Sequence, residues 1–95
     1  MKRVVAQAFP TNPSLRTPGD LGTALRAART SAGLSLDAAA LGLGISKKTL
    51  LKLEQGAPSV AIGTALHVAA QLGVALFMVP AANRDLARRK ILSEA

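Results

Sequence analysis

The chain has no cysteine, no tryptophan and no tyrosine, and only two phenylalanines in 95 residues. Without cysteine there is neither a disulfide framework nor a thiolate metal site. The scarcity of aromatics leaves the core to Ala, Leu, Val and Ile, and it removes the stacking platforms on which proteins hold single-stranded nucleic acid. Acid is scarce as well. Five Asp and Glu stand against 12 Lys and Arg, a formal charge of +7 that suits a polyanionic partner. Membrane surfaces are polyanions too, but the longest apolar run, Gly73 to Val79, falls far short of the roughly 20 residues that span a bilayer. No secretory leader is expected, since Lys2 and Arg3 open onto Val4 to Phe9, a run interrupted by Gln7 and stopped by Pro10. His67 is the single histidine, and a metal site needs more ligands than that. No cofactor is expected, and the expected compartment is the cytoplasm of a microbe.

What is present is a set of short helices. Hydrophobic residues make up 49% of the chain and are rich in Ala and Leu, the strongest helix formers. The length allows one compact domain with short extensions. Residues 1–16, with Pro10 and Pro13 and no helical periodicity, read as an extended arm in which Val4 to Phe9 can form a strand when paired. Thr17, Pro18 and Asp20 supply a hydroxyl cap, a proline at the first helical position and an acid at the third. They open a helix from Pro18 to about Ala32, with Leu21, Ala24, Leu25 and Ala28 as its buried stripe and Gly33 as its left-handed stop.

Ser35 caps a second helix that Gly42 and Gly44 end after about two turns; Ser46 caps a third that runs through Gln55 to a stop at Gly56. The turn at Gly56, Ala57 and Pro58 leads to Ser59, the expected cap of a fourth helix with Ile62, Ala65, Leu66, Ala69 and Leu72 inward. Residues 17–73 therefore make the helical domain. Val74 to Val79, an unbroken apolar run before Pro80, reads as a strand buried on both faces, and residues 81–95 as a basic helix or tail over Arg84 to Leu92 capped by Asn83.

The informative stretch is residues 35–56, SLDAAALGLGISKKTLLKLEQG. A short helix, a glycine-containing turn and a second helix opening on a capping serine form a helix-turn-helix. Ala39 and Ala40 are small where the two helices cross, Ile45 fills the turn, and Leu50 and Leu53 anchor the second helix. Lys47, Lys48, Thr49 and Lys52 are left on the outward face. The second helix of such a motif enters the DNA major groove, where a lysine either donates to guanine or neutralises phosphate. An isolated KKxxxK pattern is more often a solvated face; its place at the start of this helix is what makes it a candidate. The candidate DNA contacts are Ser46, Lys47, Lys48, Thr49 and Lys52, together with Ser35.

Leu34-Ser35, Ala40, Leu43-Gly44-Ile45-Ser46, Thr49-Leu50 and Leu53-Glu54-Gln55-Gly56 together resemble the Cro and phage-repressor type of helix-turn-helix family over residues 17–79. Thr17-Pro18, Asp20-Leu21 and the segment GVALFMVP resemble, more narrowly, the HipB-like antitoxins. The resemblance implies a mainly α, four- to five-helix lambda-repressor-like domain ending in a short C-terminal dimerisation strand, residues 74–80. Val74, Leu76, Phe77, Met78 and Val79 would pair with their copies in a homodimer. It also implies repression of the protein's own operon at a palindromic operator and a HipA-like kinase toxin as partner. Two residues depart from the family pattern: Leu36 stands where a Gln often contacts the DNA backbone, and Leu51 replaces a small polar residue on the recognition helix, where it could meet a thymine methyl.

Glu54 is the only acid between Asp37 and Asp85, and a carboxylate near a helix C-terminus opposes the helix dipole and needs a cation. Arg29 is the natural one, and the resemblance implies that pair too. Gly42-Leu43-Gly44 follows no strand and lacks the third glycine of a phosphate-cradling loop. No nucleophile, base and acid stand in a catalytic arrangement, so no enzyme is expected. The competing readings are a stand-alone regulator of the same family and a protein-interaction module that kept the fold without DNA binding.

Overall fold

A computed structural model describes residues 3–93; Met1, Lys2, Glu94 and Ala95, which complete the arm and tail as read above, lie outside the described residues. Among these residues the chain forms α1 (Pro18–Ser31), α2 (Leu36–Leu43), α3 (Lys47–Glu54), α4 (Ile62–Gln71), a single 3₁₀ turn (Ala81–Asn83) and α5 (Arg84–Ser93). The body measures 45 × 27 × 18 Å.

The first three helices begin on side-chain caps, and all four helices of the body end on backward backbone bonds. Thr17 and Asp20 form a complete capping box: Thr17 Oγ1 accepts from the Asp20 N–H, and Asp20 Oδ2 accepts from the N–H groups of Arg16 and Thr17, both at 2.9 Å. Ser35 and Ser46 cap α2 and α3 in the same sense. At the end of α2, Gly44 turns left-handed at φ 71°, which lets its N–H reach the Leu41 carbonyl and the Ile45 N–H reach Ala40. The same backward bond recurs where α1, α3 and α4 end, from Leu34 to Arg29, Ala57 to Lys52 and Val74 to Ala69.

Leu25, Leu50 and Val68 are fully buried at the centre, with Ala39, Ala40, Leu53, Ala65 and Ala69 around them. Truncating a leucine in such a position costs about 2–5 kcal/mol. Ile45, Leu36 and Val60 pack half-buried against this cluster. Helix α1 crosses α3 closely because Gly22 has no side chain: a Cβ there would stand 2.6 Å from the Leu53 carbonyl oxygen.

Four sequence expectations need correction. Ser59 does not cap α4; Ala61 holds that position with no side-chain bond, because the chain first turns through Pro58 and Ser59 to set Val60 against the core. The inward face of α4 is Ala65, Val68, Ala69 and Leu72, whereas Ile62 and Leu66 are exposed. A helix apolar on most sides gives its periodicity little power to set that phase. On α1 the buried face includes Gly22, Ala27, Arg29 and Thr30 with Leu25, while Leu21, Ala24 and Ala28 are only half-buried. The arm accounts for part of this, since the Gln7 N–H donates to Thr30 Oγ1 at 2.9 Å and that hydroxyl donates in turn to the Arg26 carbonyl.

The fourth correction concerns residues 74–79, which form no strand; none occurs among the described residues. The segment has no regular secondary structure and no ladder partner among the described residues, because Val4 to Phe9 does not pair with it. Nor is it buried on both faces: Val74 packs against the core, but Phe77 is 78% and Met78 97% exposed.

Candidate nucleic-acid interface

The two short helices of the motif pack directly on one another, and their N-terminal ends carry the candidate residues. Ser35 Oγ accepts from the Ala38 N–H at 3.1 Å, fixing the start of α2. Ser46 Oγ accepts from the Thr49 N–H at 3.0 Å and donates to Thr49 Oγ1 at 2.8 Å. The Ser46 hydroxyl is thereby spent on the helix, while the Thr49 hydroxyl keeps its proton for an acceptor outside.

Lys47, Lys48 and Lys52 are exposed on α3, and Leu50 and Leu53 on its other side are buried. Lys47 Nζ lies 3.3 Å from the carboxylate of Asp37 in the first turn of α2, an ion pair open to solvent on both sides. Lys48 and Lys52 have no acidic partner among the described residues. Sequence reasoning missed Asp37, because residues ten apart meet only once the turn folds α3 back on α2. Leu36 is half-buried against the core and contributes packing there. Leu51 stands at the edge of exposure on α3.

The far end of α3 is built differently. Arg29 and Glu54 join in a two-pronged pair, Nε to Oε2 at 2.6 Å and Nη2 to Oε1 at 2.9 Å, with side chains only 7% and 4% exposed. The third guanidinium nitrogen, Nη1, donates to the Leu34 carbonyl at 2.8 Å. One arginine thus ties α1, α3 and the lead into α2 together, and no polar side-chain atom buried among the described residues lacks a partner. His67, on the outer side of α4, has Nε2 3.1 Å from the Leu43 carbonyl at the end of α2. None of the described helices is long and apolar enough to cross a membrane.

A tight two-helix unit with hydroxyl-capped N-termini and lysines on the outer side of the second helix is a helix-turn-helix. The chain belongs to the family described as "Helix-turn-helix domain", which matches residues 20–87. Its fold is similar to the protein in a "HipB-O4 20mer complex" (TM-score 0.63, 19% identity, 72% of this chain and 96% of that one). A HipB variant in an O2 20mer complex gives TM-score 0.64 at 19% identity over 78% of this chain and 99% of that one. A "HipA-HipB-O2-O3 complex" contains a chain matching at TM-score 0.63 and 18% identity, over 72% and 96% of the respective chains. No curated protein matches at the level of sequence.

Proposed function

We propose that this protein is a non-enzymatic, sequence-specific double-stranded DNA-binding repressor, the antitoxin partner of a HipA-like kinase toxin and regulator of its own operon in the bacterial cytoplasm, at the nucleoid. The observation that carries the DNA part is the outward presentation of Lys47, Lys48 and Lys52 on a helix whose start is held by Ser46 and whose end is locked by Glu54. Residues at the N-terminal part of such a helix face base edges, and neighbouring cations take phosphate. The net charge of +7 supplies the long-range attraction. Inward packing of Leu36 weakens the case for a module that lost DNA binding, since a packed residue is no loss from the surface.

The active unit in this reading is a two-fold dimer. Support comes from the unpaired backbone of 75–79 and the exposed Phe77 and Met78, which a second copy of the segment would pair and cover. Two recognition helices would then stand about 34 Å apart, one DNA turn. The partner part of the reading is supported by the likeness to HipB chains, one of them in a complex with HipA.

The test is binding to the DNA upstream of the protein's own coding region against a scrambled competitor, with sedimentation at tens of micromolar to read the dimer. The Lys47→Ala, Lys48→Ala variant should lower the slope of log affinity against log salt by roughly one unit for each phosphate it no longer neutralises, or lose about 1–3 kcal/mol and relax specificity where a lysine reads a base. Wild-type affinity in that variant would sink the assignment of the interface.

A further inference from the structure

The arm and the C-terminal helix, both outside the helix-turn-helix, meet across a groove of about 490 Å³. Phe9 and Leu15 of the arm, Leu21 of α1, Leu76 and Phe77 of segment 74–79, and Ile91 of α5 make its lining largely apolar. The volume falls in the ordinary range of ligand clefts, about 300–1,000 Å³.

Three arginines also line it: Arg16, Arg84 and Arg88. The only acid in the lining among the described residues, Asp20, has its carboxylate engaged by the backbone N–H groups of Arg16 and Thr17, so it serves the helix cap. The polar contact of Arg88 among the described residues is with the exposed Asp85, at 3.5 Å. The groove therefore offers cationic side chains above an apolar floor. One wall offers something more: among the described residues the backbone of 75–79 makes no hydrogen bond, leaving donors and acceptors for an added strand.

DNA does not fit as the occupant. The groove borders α1 around Asp20 to Ala24, and Gly22 packs on Leu53 and Glu54 at the C-terminal end of α3, about 10 Å along that helix from Lys47. None of the three lysines of α3 lines the groove. A second copy of segment 74–79 carries no acid to meet the arginines, and a strand has a second edge for that copy. A small amphipathic carboxylate would meet the charge but leave the backbone of 75–79 unpaired. We propose that this groove docks an extended peptide of a partner protein in which apolar residues alternate with Asp or Glu. Alternation follows from strand geometry, which sends successive side chains to opposite faces, apolar ones to the floor and carboxylates to the arginines.

The proposal rests on the partner-binding part of the function above, and its test is independent of DNA. A random dodecapeptide library is selected on the full chain, and the enriched peptides are titrated by calorimetry. The expected winners alternate apolar and acidic residues, bind about tenfold more weakly to the Arg84→Glu, Arg88→Glu variant, and bind the Lys47→Ala, Lys48→Ala variant as they bind wild type. Both arginines are exposed, and circular dichroism checks that their replacement leaves the helices intact. No enriched peptide, basic or patternless winners, or unchanged affinity in the double arginine variant overturns the proposal. So does sodium dodecanoate displacing the winners with equal or greater affinity per molecule. Peptide binding that follows the expected pattern in a chain that ignores its operator would leave the groove standing and remove the DNA reading.

Discussion

The two ends of α3, a helix of eight residues, are opposite in construction. At the C-terminal end, Glu54 is buried against Arg29, and Gly22 lets α1 come into backbone contact. At the N-terminal end, Lys47 and Asp37 form their pair in open solvent, with side chains 55% and 75% exposed. The same kind of interaction, an acid beside a base, does different work in the two places. Buried and hydrogen-bonded on every nitrogen, it fixes where the helix sits; exposed, it contributes little to stability and can be exchanged for another anion. A reading helix needs both, one end anchored and the other free to trade partners.

The largest effect is expected where the anchored end is half-dismantled. Glu54→Gln or Arg29→Met alone should cost about 3–5 kcal/mol, because an unpaired charge or an unmet set of donors stays buried. Replacing both, as Arg29→Met with Glu54→Leu, should recover most of that loss. Urea unfolding of the three variants decides it, and a single variant within about 1 kcal/mol of wild type would erase the contrast between the ends.

Next comes the crossing itself. Gly22→Ala should destabilise by about 1–3 kcal/mol, since its methyl group would meet the Leu53 and Glu54 backbone. Gly42→Ala, in α2 with open space around it, should instead stabilise by roughly 0.5–1 kcal/mol. Opposite signs in thermal melts of the two variants are the expected result.

At the free end the effects fall on binding. Asp37→Asn releases Lys47 for phosphate and removes a negative charge from the DNA side, so affinity for random DNA should rise several-fold and the salt slope steepen by about one unit. Stability should move by less than about 1 kcal/mol. An unchanged slope would mean that Asp37 does not compete with DNA for Lys47.

The smallest effect concerns acid. The backbone N–H groups of Arg16 and then Thr17 hold the exposed Asp20 carboxyl below its ordinary value of 3.8. A depressed folded pKa means that the cap contributes its stability above the ordinary value and loses it as pH falls through the lowered one. The melting-temperature gap between wild type and Asp20→Asn should therefore be present near neutrality and close as pH drops below 3.8. A gap that widens in acid would contradict the capping box.

The body of the fold was legible because its signals are local. Thr17, Ser35 and Ser46 announce helix starts that the structure places within a residue, and the pattern around Gly44 announces the turn. Glu54 at the end of α3 was legible as a charge in need of a cation, since the helix dipole opposes it there. Illegible were the relations that need a partner across space. Nothing in Thr30 says that its hydroxyl will hold the Gln7 backbone, and nothing in Asp37 says that a turn will bring Lys47 to it. On α4, apolar residues on several sides left Val68 indistinguishable from Leu66. Segment 74–79 has the composition of a strand, but pairing belongs to two segments and the described residues supply only one.

The backward bonds that close four helices also bear on how fast the molecule forms. Each spans six residues, so these four helix ends are closed by near-neighbour bonds. Helical domains dominated by such near-neighbour contacts fold in microseconds to milliseconds. In the dimer proposed above, a chain opened by heat or by a passing unfoldase would regain its two-helix unit faster than the separated copies could diffuse back together. Folding of the body would then be unimolecular and quick, and recovery of the paired state would be limited by concentration.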